Sequence, residues 1–161
     1  MHQLMQNSNS HWIEQAFALA QQAALEDEVP VGALVIYQGK VIGQGYNQRE
    51  KTQNPIAHAE VLAIQNAAAF LKSWRLVDCT LIVTLEPCVM CLAVCQQARI
   101  QSVFYGISDQ KAGALSLGYG LHEDVRCHHR FSVTSLDHQK SGHLLQQFFK
   151  KKRVNRRSDL S

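Results

Sequence analysis

Apolar residues recur at helical spacing near the start of the chain. Between residues 10 and 26 they fall three to four positions apart, which predicts an amphipathic helix with Ser10 as its N-cap. Two β-rich runs follow, over residues 31–37 and 40–46, and Gln38-Gly39 between them favours a tight hairpin. The chain therefore opens as a helix followed by two antiparallel strands.

The rest of the chain alternates between helical and strand-like segments. In order, the predicted elements are a polar loop over 47–57, a helix over about 57–71, a strand over 76–84, a helix over about 88–98, strands over 103–105 and 130–134, and a helix from about 138 into the C-terminal tail. Strands that alternate with helices predict an α/β/α layered domain, and the opening hairpin makes its sheet mixed. The Gly-rich stretch over 107–125 has no clear period.

Length and composition indicate a single globular domain. The chain has 161 residues, of which 46% are hydrophobic, an ordinary value for a globular protein. No apolar run approaches the ~20 residues of a membrane helix, and the polar N-terminus lacks a signal-peptide pattern. We therefore expect no membrane partner and a cytoplasmic location. The expected division is a disordered segment over 1–9, the domain over 10–149 and a basic tail over 150–161 that continues the last helix.

Positive charge is concentrated in that tail. Residues 150–161 hold six Lys and Arg against Asp159, a charge of +5, so the remainder of the chain carries −2 of the formal total of +3. Attraction to polyanions is therefore expected at the C-terminal end. The plainer interpretation is a solvated, frayed helix end.

Two short motifs carry the candidate chemistry: His58-Ala59-Glu60, and Pro87-Cys88-Val89-Met90-Cys91. One imidazole and two thiolates suit zinc, and three protein ligands leave a fourth tetrahedral position for water, whose pKa zinc lowers to roughly 7. All three ligands lie near predicted helix starts, whose positive N-terminal ends favour the thiolate forms of Cys88 and Cys91. Glu60 lies close enough to move a proton from that water to a substrate nitrogen and the leaving ammonia.

A structural zinc site or a redox pair is the alternative for Cys-x-x-Cys alone. The five cysteines, an odd number without a secretory signal, argue against a disulfide framework. A structural site needs a fourth ligand, for which Cys79, Cys95, Cys127 or another His is available. The joint pattern, with the two motifs ~30 residues apart, matches the signature of zinc nucleobase deaminases and favours a catalytic site.

From about residue 12 to 153 the sequence resembles the bacterial tRNA-specific adenosine deaminases (the TadA family). Beyond the zinc motifs, the matching pieces are Glu28-Val29-Pro30-Val31-Gly32-Ala33, Gly45-Tyr46-Asn47, Leu81 to Glu86, Gly106, Asp109, Lys111, Gly113-Ala114 and Phe148-Phe149 before basic residues. The wider cytidine-deaminase superfamily shares only the zinc pieces. The Val-Pro-Val-Gly-Ala segment and the Phe-Phe pair followed by basic residues therefore favour the deaminases that act on tRNA.

The resemblance implies a cytidine-deaminase-like domain with a central five-stranded sheet and one zinc ion per subunit on His58, Cys88 and Cys91. The reaction it implies is hydrolysis of wobble adenosine in a tRNA anticodon to inosine, with Glu60 as the proton shuttle. It also implies that Asn47 bonds the base and Asp109 lies beside the sugar. Taken alone, Asn47 is equally a strand-end turn residue and Asp109 a cap residue.

RNA contacts at the tail are expected from Phe149 and Arg153. Aromatic rings stack on unpaired bases and cations meet phosphates. Phe148 and Phe149 are adjacent, so they point to different helix faces, and we expect one to pack and the other to stack. The resemblance to the family implies that Phe149 is the one that stacks. Contacts in residues 48–53 are unassigned, and Leu115-Ser116-Leu117 replaces a Gly-Ser pair common in the family.

The family works as a homodimer, so a homodimer is expected here. Met90, Leu92 and Val94 are either its interface or core residues. Cys95 is interpreted as packing, and Cys127-His128-His129 is not expected to form a second metal site.

Two other functions remain open on the sequence. A deaminase of free guanine, cytosine or their nucleosides needs the same zinc chemistry but no basic tail. A non-catalytic RNA-binding protein with structural zinc needs the tail but not Glu60.

Overall fold

In the computed structural model the backbone is described for residues 2–158 and the side chains for residues 9–158. Helices and strands alternate along this part of the chain. They are α1 (His2–Leu25), β1 (Gly32–Tyr37), β2 (Lys40–Tyr46), α2 (Arg49–Thr52), α3 (Ala59–Leu71), β3 (Thr80–Leu85), α4 (Val89–Gln97), β4 (Ser102–Ile107), a 3₁₀ helix (Leu121–Glu123), β5 (Ser132–Ser135) and α5 (Gln139–Ser158).

The strands form one mixed sheet in the order β2-β1-β3-β4-β5. β1 is antiparallel to both β2 and β3, whereas β3, β4 and β5 run parallel to one another. Gln38 and Gly39 both have positive φ, 48° and 73°, which is typical of the two-residue turn that matches strand twist. The predicted hairpin and mixed five-stranded sheet are confirmed.

Alternating side chains of β1 separate the two faces of the sheet. Leu34 and Ile36 pack against α1, whereas Ala33 and Val35 lie in the larger core formed with α3 and α4. α5 joins α1 on the first face. This confirms the α/β/α layers. Within the described residues, no helix combines the length and apolar character needed to cross a membrane.

Close packing of α3 on β2 depends on small residues. A Cβ on Gly45 would overlap the Ala59 carbonyl oxygen, and one on Gly43 would overlap the Ala63 carbonyl oxygen. Both glycines therefore let the helix backbone approach the strand. Because α3 begins directly after His58, this contact also determines where the first zinc motif lies.

The boundaries of α1 and the loop after β2 differ from the sequence prediction. α1 begins at His2, so the backbone of residues 2–9 is helical where disorder is expected, and Ser10 lies inside the helix instead of capping it. Each residue added to an existing helix gains a hydrogen bond without a new nucleation step, which explains the extension. The predicted loop contains α2, whose four residues are too few to show a period. Residues 1 and 159–161 lie outside the described residues.

Candidate active site

Helix starts hold the two zinc motifs. His58 and Cys88 are the residues immediately before α3 and α4, both with extended backbone, and neither side chain caps its helix by a hydrogen bond. Their ligand atoms are therefore free for other partners. Cys91 is buried in the first turn of α4, on the side facing His58.

The three ligand atoms form a compact group. His58 Nδ1 lies 3.5 Å from Cys91 Sγ and 3.8 Å from Cys88 Sγ, and all three atoms lie within 4.8 Å of one another. Zinc with tetrahedral angles and ordinary Zn–N and Zn–S bonds separates such atoms by about 3.6 Å. The residues present thus fit zinc in both chemistry and spacing.

No fourth protein ligand joins this group among the side chains of residues 9–158. Cys79, Cys95 and Cys127, the alternatives for a closed structural site, all lie outside it. Three ligands are typical of catalytic zinc, whereas structural sites have four. Cys95 is buried, so it is a core residue as predicted, and burial raises the pKa of its thiol.

A hydrogen bond between the side chains of Cys88 and Cys91 favours negative charge at the site. The Cys91 thiol donates to Cys88, which lowers the Cys88 pKa to about 4, while the same hydrogen bond and burial raise the Cys91 pKa. The hydrogen bond with Cys88 raises the pKa of His58. Negative charge is therefore already favoured on Cys88, and a divalent cation would replace the shared protons.

Glu60 is buried beside this group, with 4% of its surface exposed. Burial raises the pKa of its carboxyl to about 7, and the negative charge of Cys88 adds to the effect. A carboxyl that titrates near neutral pH can both accept and return a proton. Glu60 is thus suited to proton transfer in the cavity described next.

A cavity of about 170 Å³ opens onto the motifs, which we call the catalytic pocket. Its lining residues come from five segments: Val29 and Val31, Asn47 and Arg49, His58 to Glu60, Leu85 to Cys88 without Pro87, and Asp109 with Ala112. The pocket brings Asn47, His58, Glu60, Cys88 and Asp109 together, as the resemblance implies.

Asn47 presents an unpaired acceptor in this pocket. Only 6% of its surface is exposed; its Nδ2 donates to the Val29 carbonyl at 3.3 Å, whereas Oδ1 is buried without a partner among the described residues. Its backbone N–H bonds to the Val31 carbonyl at 3.1 Å, as a strand-end residue would. An unsatisfied buried acceptor costs about 1–3 kcal/mol, so a ligand donor would find a ready partner.

Asp109 lies at the pocket wall but also caps a turn. Its Oδ1 accepts hydrogen bonds from the backbone N–H groups of Lys111 at 3.0 Å and Ala112 at 3.2 Å. The capping interpretation of this residue therefore has direct support, and its position on the pocket is compatible with contact to a substrate.

Glu86 is a residue that sequence reasoning missed. Its buried carboxylate accepts hydrogen bonds from the Asp109 N–H at 2.9 Å, the Ser116 N–H at 2.8 Å and the Ser116 hydroxyl at 2.6 Å. A Cβ on Gly113 would collide with this carboxyl group. Glu86 thus fastens the loop over residues 109–116 to the second zinc motif. A charged residue directly after a buried apolar strand was the available clue.

A larger groove of about 860 Å³ adjoins the catalytic pocket, and we call it the tail groove. It is lined by residues 26–29 at the end of α1, by Asn47 and residues 49–51, and by Phe148, Phe149, Lys152, Arg153, Asn155 and Arg156 of α5. The groove and the catalytic pocket share Val29, Asn47 and Arg49. The two cavities therefore meet at these three residues, and a ligand large enough to fill the groove can reach the catalytic pocket.

α5 presents aromatic and basic side chains to the tail groove. Phe149 is 44% exposed, whereas Phe148 is partly buried, and their rings meet edge-on with centroids 5.5 Å apart. Lys152 pairs with Asp27 across the groove, and Arg153 forms no ion pair within residues 9–158. Arg49 of α2, which the sequence left unassigned, lies at the junction with the catalytic pocket.

The three candidate interface residues on α4 differ in burial. Leu92 is buried in the core, so it is not available to a second subunit, whereas Met90 and Val94 are only partly covered. Cys127, His128 and His129 form no metal-binding group among the described side chains.

Comparison with known proteins gives a consistent set of relatives. Residues 7–153 match the family model of MafB19-like deaminases. The chain is 37% identical over 149 residues to a tRNA-specific adenosine deaminase of Streptococcus pyogenes serotype M1, covering 92% of this chain and 87% of the relative. It is 39% identical over 147 residues to a protein of that name from Agrobacterium fabrum, covering 91% and 97%.

Two solved structures are similar to the chain. A structure from a study of A-to-I editing by tRNA:A34 deaminases at the wobble position of transfer RNA superposes with a TM-score of 0.80 at 37% identity, covering 84% of this chain and 99% of that one. Guanine deaminase from Bacillus subtilis superposes with a TM-score of 0.60 at 33% identity, covering 68% and 69%.

Proposed function

The chain belongs to the family of tRNA-specific adenosine deaminases, within the MafB19-like deaminases, and on that premise we propose that it hydrolyses wobble adenosine in a tRNA anticodon to inosine. The observation that carries the proposal is the continuity of the catalytic pocket with the tail groove through Val29, Asn47 and Arg49. A free-base deaminase needs the first cavity, whereas an RNA deaminase needs both.

His58, Cys88 and Cys91 hold one zinc ion per subunit. When bound there, zinc supplies a Lewis acid that lowers the pKa of a water molecule to roughly 7. The spacing of the three ligand atoms and the absence of a fourth ligand among the described side chains support an open site of this kind.

Glu60 moves the proton. Its carboxylate removes one proton from the attacking water and delivers it to the purine ring nitrogen N1 as the C–O bond forms at C6. It then carries the second proton, from the new C6 hydroxyl, to the amino group, so that the C6–N bond breaks, ammonia leaves and the C6 carbonyl of inosine forms. The buried position of Glu60, on the catalytic pocket beside His58 and Cys88, supports both halves of this transfer.

Asn47 and Asp109 position the target nucleotide. Asn47 uses its unpaired Oδ1 to accept a hydrogen bond from the base, while its Nδ2 remains anchored to Val29. Asp109 lies beside the sugar, and its bonds to Lys111 and Ala112 keep that wall of the pocket rigid.

The tail groove receives the rest of the anticodon loop. Phe149 stacks on an unpaired base and Arg153 meets a backbone phosphate, as exposed aromatic and basic side chains do in RNA-binding proteins. Loop bases are already unpaired, so extruding one into the catalytic pocket costs less than it would from a duplex.

Two further proposals concern the assembly and its location. The enzyme is a homodimer in which Met90 and Val94 on the partly covered side of α4 contribute to the interface. It acts in the cytoplasm, where tRNA is the available substrate.

Mapping the position of inosine tests the proposed function. The zinc-loaded protein is incubated with a tRNA that carries adenosine at the wobble position, and inosine is read as guanosine after reverse transcription. We expect conversion at the wobble position and not at other adenosines of the same molecule. An unmodified wobble adenosine under these conditions would contradict the proposal, and tight binding without conversion would favour a non-catalytic RNA-binding protein.

A further inference from the structure

A second cluster of basic side chains lies at the end of the sheet opposite the catalytic pocket. Three loops supply it, ahead of β3, β4 and β5 respectively, and because these strands are parallel their starts lie side by side. The loops border an open cleft of about 320 Å³ lined by Arg75, Val77, Asp78, Arg99, Gln101, His129 and Arg130. We call it the amino-edge pocket.

The charges of the amino-edge pocket are poorly balanced. Arg75, Arg99 and Arg130 face a single carboxylate, that of Asp78, and none of the three guanidinium groups forms a salt bridge within residues 9–158. Bringing like charges together without counter-charges is unfavourable, and a bound anion would offset that cost.

Trp74 orders two of these cations without neutralising them. Its ring centroid lies 4.3 Å from the Arg75 guanidinium carbon and 5.8 Å from that of Arg99, while the indole remains 55% exposed. Arg99 also donates to the Gln96 carbonyl at 2.9 Å. Stacking on an aromatic face holds a guanidinium group in place and leaves its planar N–H groups available for bidentate contacts.

Ordered guanidinium groups beside an exposed indole suit the phosphates and unpaired bases of RNA. β3 has six residues, so at about 3.3 Å per residue the pocket lies roughly 20 Å from the zinc motifs. A ligand there is too distant to be the target nucleotide. We propose that the amino-edge pocket binds backbone phosphates of the tRNA remote from its wobble position, an inference that rests on the proposed function.

Affinity for two RNAs tests this proposal. One is the whole tRNA, and the other is a hairpin that keeps the anticodon loop on a stem of three base pairs, about 10 Å long. Arg75→Gln and Arg130→Gln should each weaken whole-tRNA binding about 3- to 10-fold and reduce the slope of log affinity against log salt by about 1. Binding of the short hairpin should change less than about 2-fold.

Lys40→Gln is the matched control. Lys40 is an exposed cation at the start of β2, outside both the amino-edge pocket and the tail groove. It removes the same charge and should leave whole-tRNA affinity within about 2-fold of wild type. Arginine variants that match Lys40→Gln, or that weaken both RNAs equally, would overturn the proposal.

Two further measurements identify what the amino-edge pocket binds if its ligand is not RNA. Inorganic phosphate that binds the pocket while the arginine variants keep full tRNA affinity would make it a small-anion site and overturn the proposal. Arginine variants that change the mass of the assembly in light scattering, without a change in tRNA affinity, would make it a subunit contact, with the same consequence. The two proposals can fail separately. If the wild-type protein forms no inosine but the arginine variants lose tRNA affinity as expected, the deaminase assignment is wrong and RNA binding by the pocket stands.

Discussion

The zinc motifs and the tail groove adjoin each other but are built differently. Glu60 and Cys91 are buried, and their positions follow from two helices packed against the sheet. Phe149 and Arg153 are exposed side chains in the second half of α5. The first region has little freedom to rearrange, whereas the second can adapt to a flexible ligand.

This difference separates the chemistry from the choice of substrate. Buried ligands and a buried carboxyl act as a unit, so losing one should remove most of the activity. Exposed contacts to RNA contribute separately and in salt-dependent amounts. Variants of the first region should therefore change turnover, and variants of the second should change binding.

Loss of a zinc ligand should have the largest effect. Cys91→Ala removes one of three protein ligands, so we expect zinc well below one ion per subunit and inosine formation below detection. Metal analysis of the purified variant checks this. Cys95→Ala, one helical turn away and outside the ligand group, is the control and should keep both zinc and activity. Retained zinc in Cys91→Ala would remove that residue from the site.

Removing the proton shuttle should come next. Glu60→Gln keeps the size of the side chain but cannot accept a proton, so kcat should fall about 10²- to 10⁴-fold. Zinc content and tRNA affinity should stay near the wild-type values, as measured by metal analysis and equilibrium binding. Turnover within a few-fold of wild type would mean that another group carries the proton.

The loop that joins the two regions should show an intermediate effect. Glu86→Gln presents an NH₂ group to N–H and O–H donors, leaving buried groups unsatisfied at a cost of about 1–3 kcal/mol. We expect Tm to fall by roughly 3–9 °C. Because the loop that carries Asp109 would no longer be fastened to the second zinc motif, kcat/KM should also fall. Ser116→Ala, which loses only the hydroxyl contact, should give a smaller change of the same kind. An unchanged Tm in Glu86→Gln would contradict the fastening role.

Within the tail groove the effects should be confined to binding. Phe149→Ala removes one stacking surface, which is worth about 1–3 kcal/mol, so KM for the anticodon stem-loop should rise about 5- to 150-fold while kcat stays unchanged. Phe148→Ala, at the partly buried neighbour, should lower Tm instead. A fall in kcat for Phe149→Ala would show that the tail groove also affects turnover, and would contradict the division between chemistry and binding.

Sequence was most informative where a feature is local. His58, Glu60, Cys88 and Cys91 lie in two short motifs, and each strand of the sheet is a contiguous run, so both the ligand set and the mixed sheet could be predicted. The hydrogen bonds of Glu86 join residues 23 and 30 positions apart, which no local pattern reveals.

Other features escaped prediction because their pattern was too short or too polar. α2 has four residues, yet it supplies Arg49 at the junction of the catalytic pocket and the tail groove. The polar residues ahead of Ser10 gave no apolar period, although the backbone of residues 2–9 is helical. The cations of the amino-edge pocket lie in three separate loops, so only the fold brings them together.

Selectivity between RNA and free substrates tests the central claim most directly. The measurement compares kcat/KM for inosine formation in an anticodon stem-loop with ammonia release from free adenosine, guanine and cytidine, using the same zinc-loaded protein. If the tail groove selects the substrate for the zinc site, the stem-loop should exceed every free substrate by at least about 10²-fold, the equivalent of about 3 kcal/mol of added binding. Equal or faster deamination of guanine or cytidine would contradict the account and assign the site to a free-base or nucleoside deaminase.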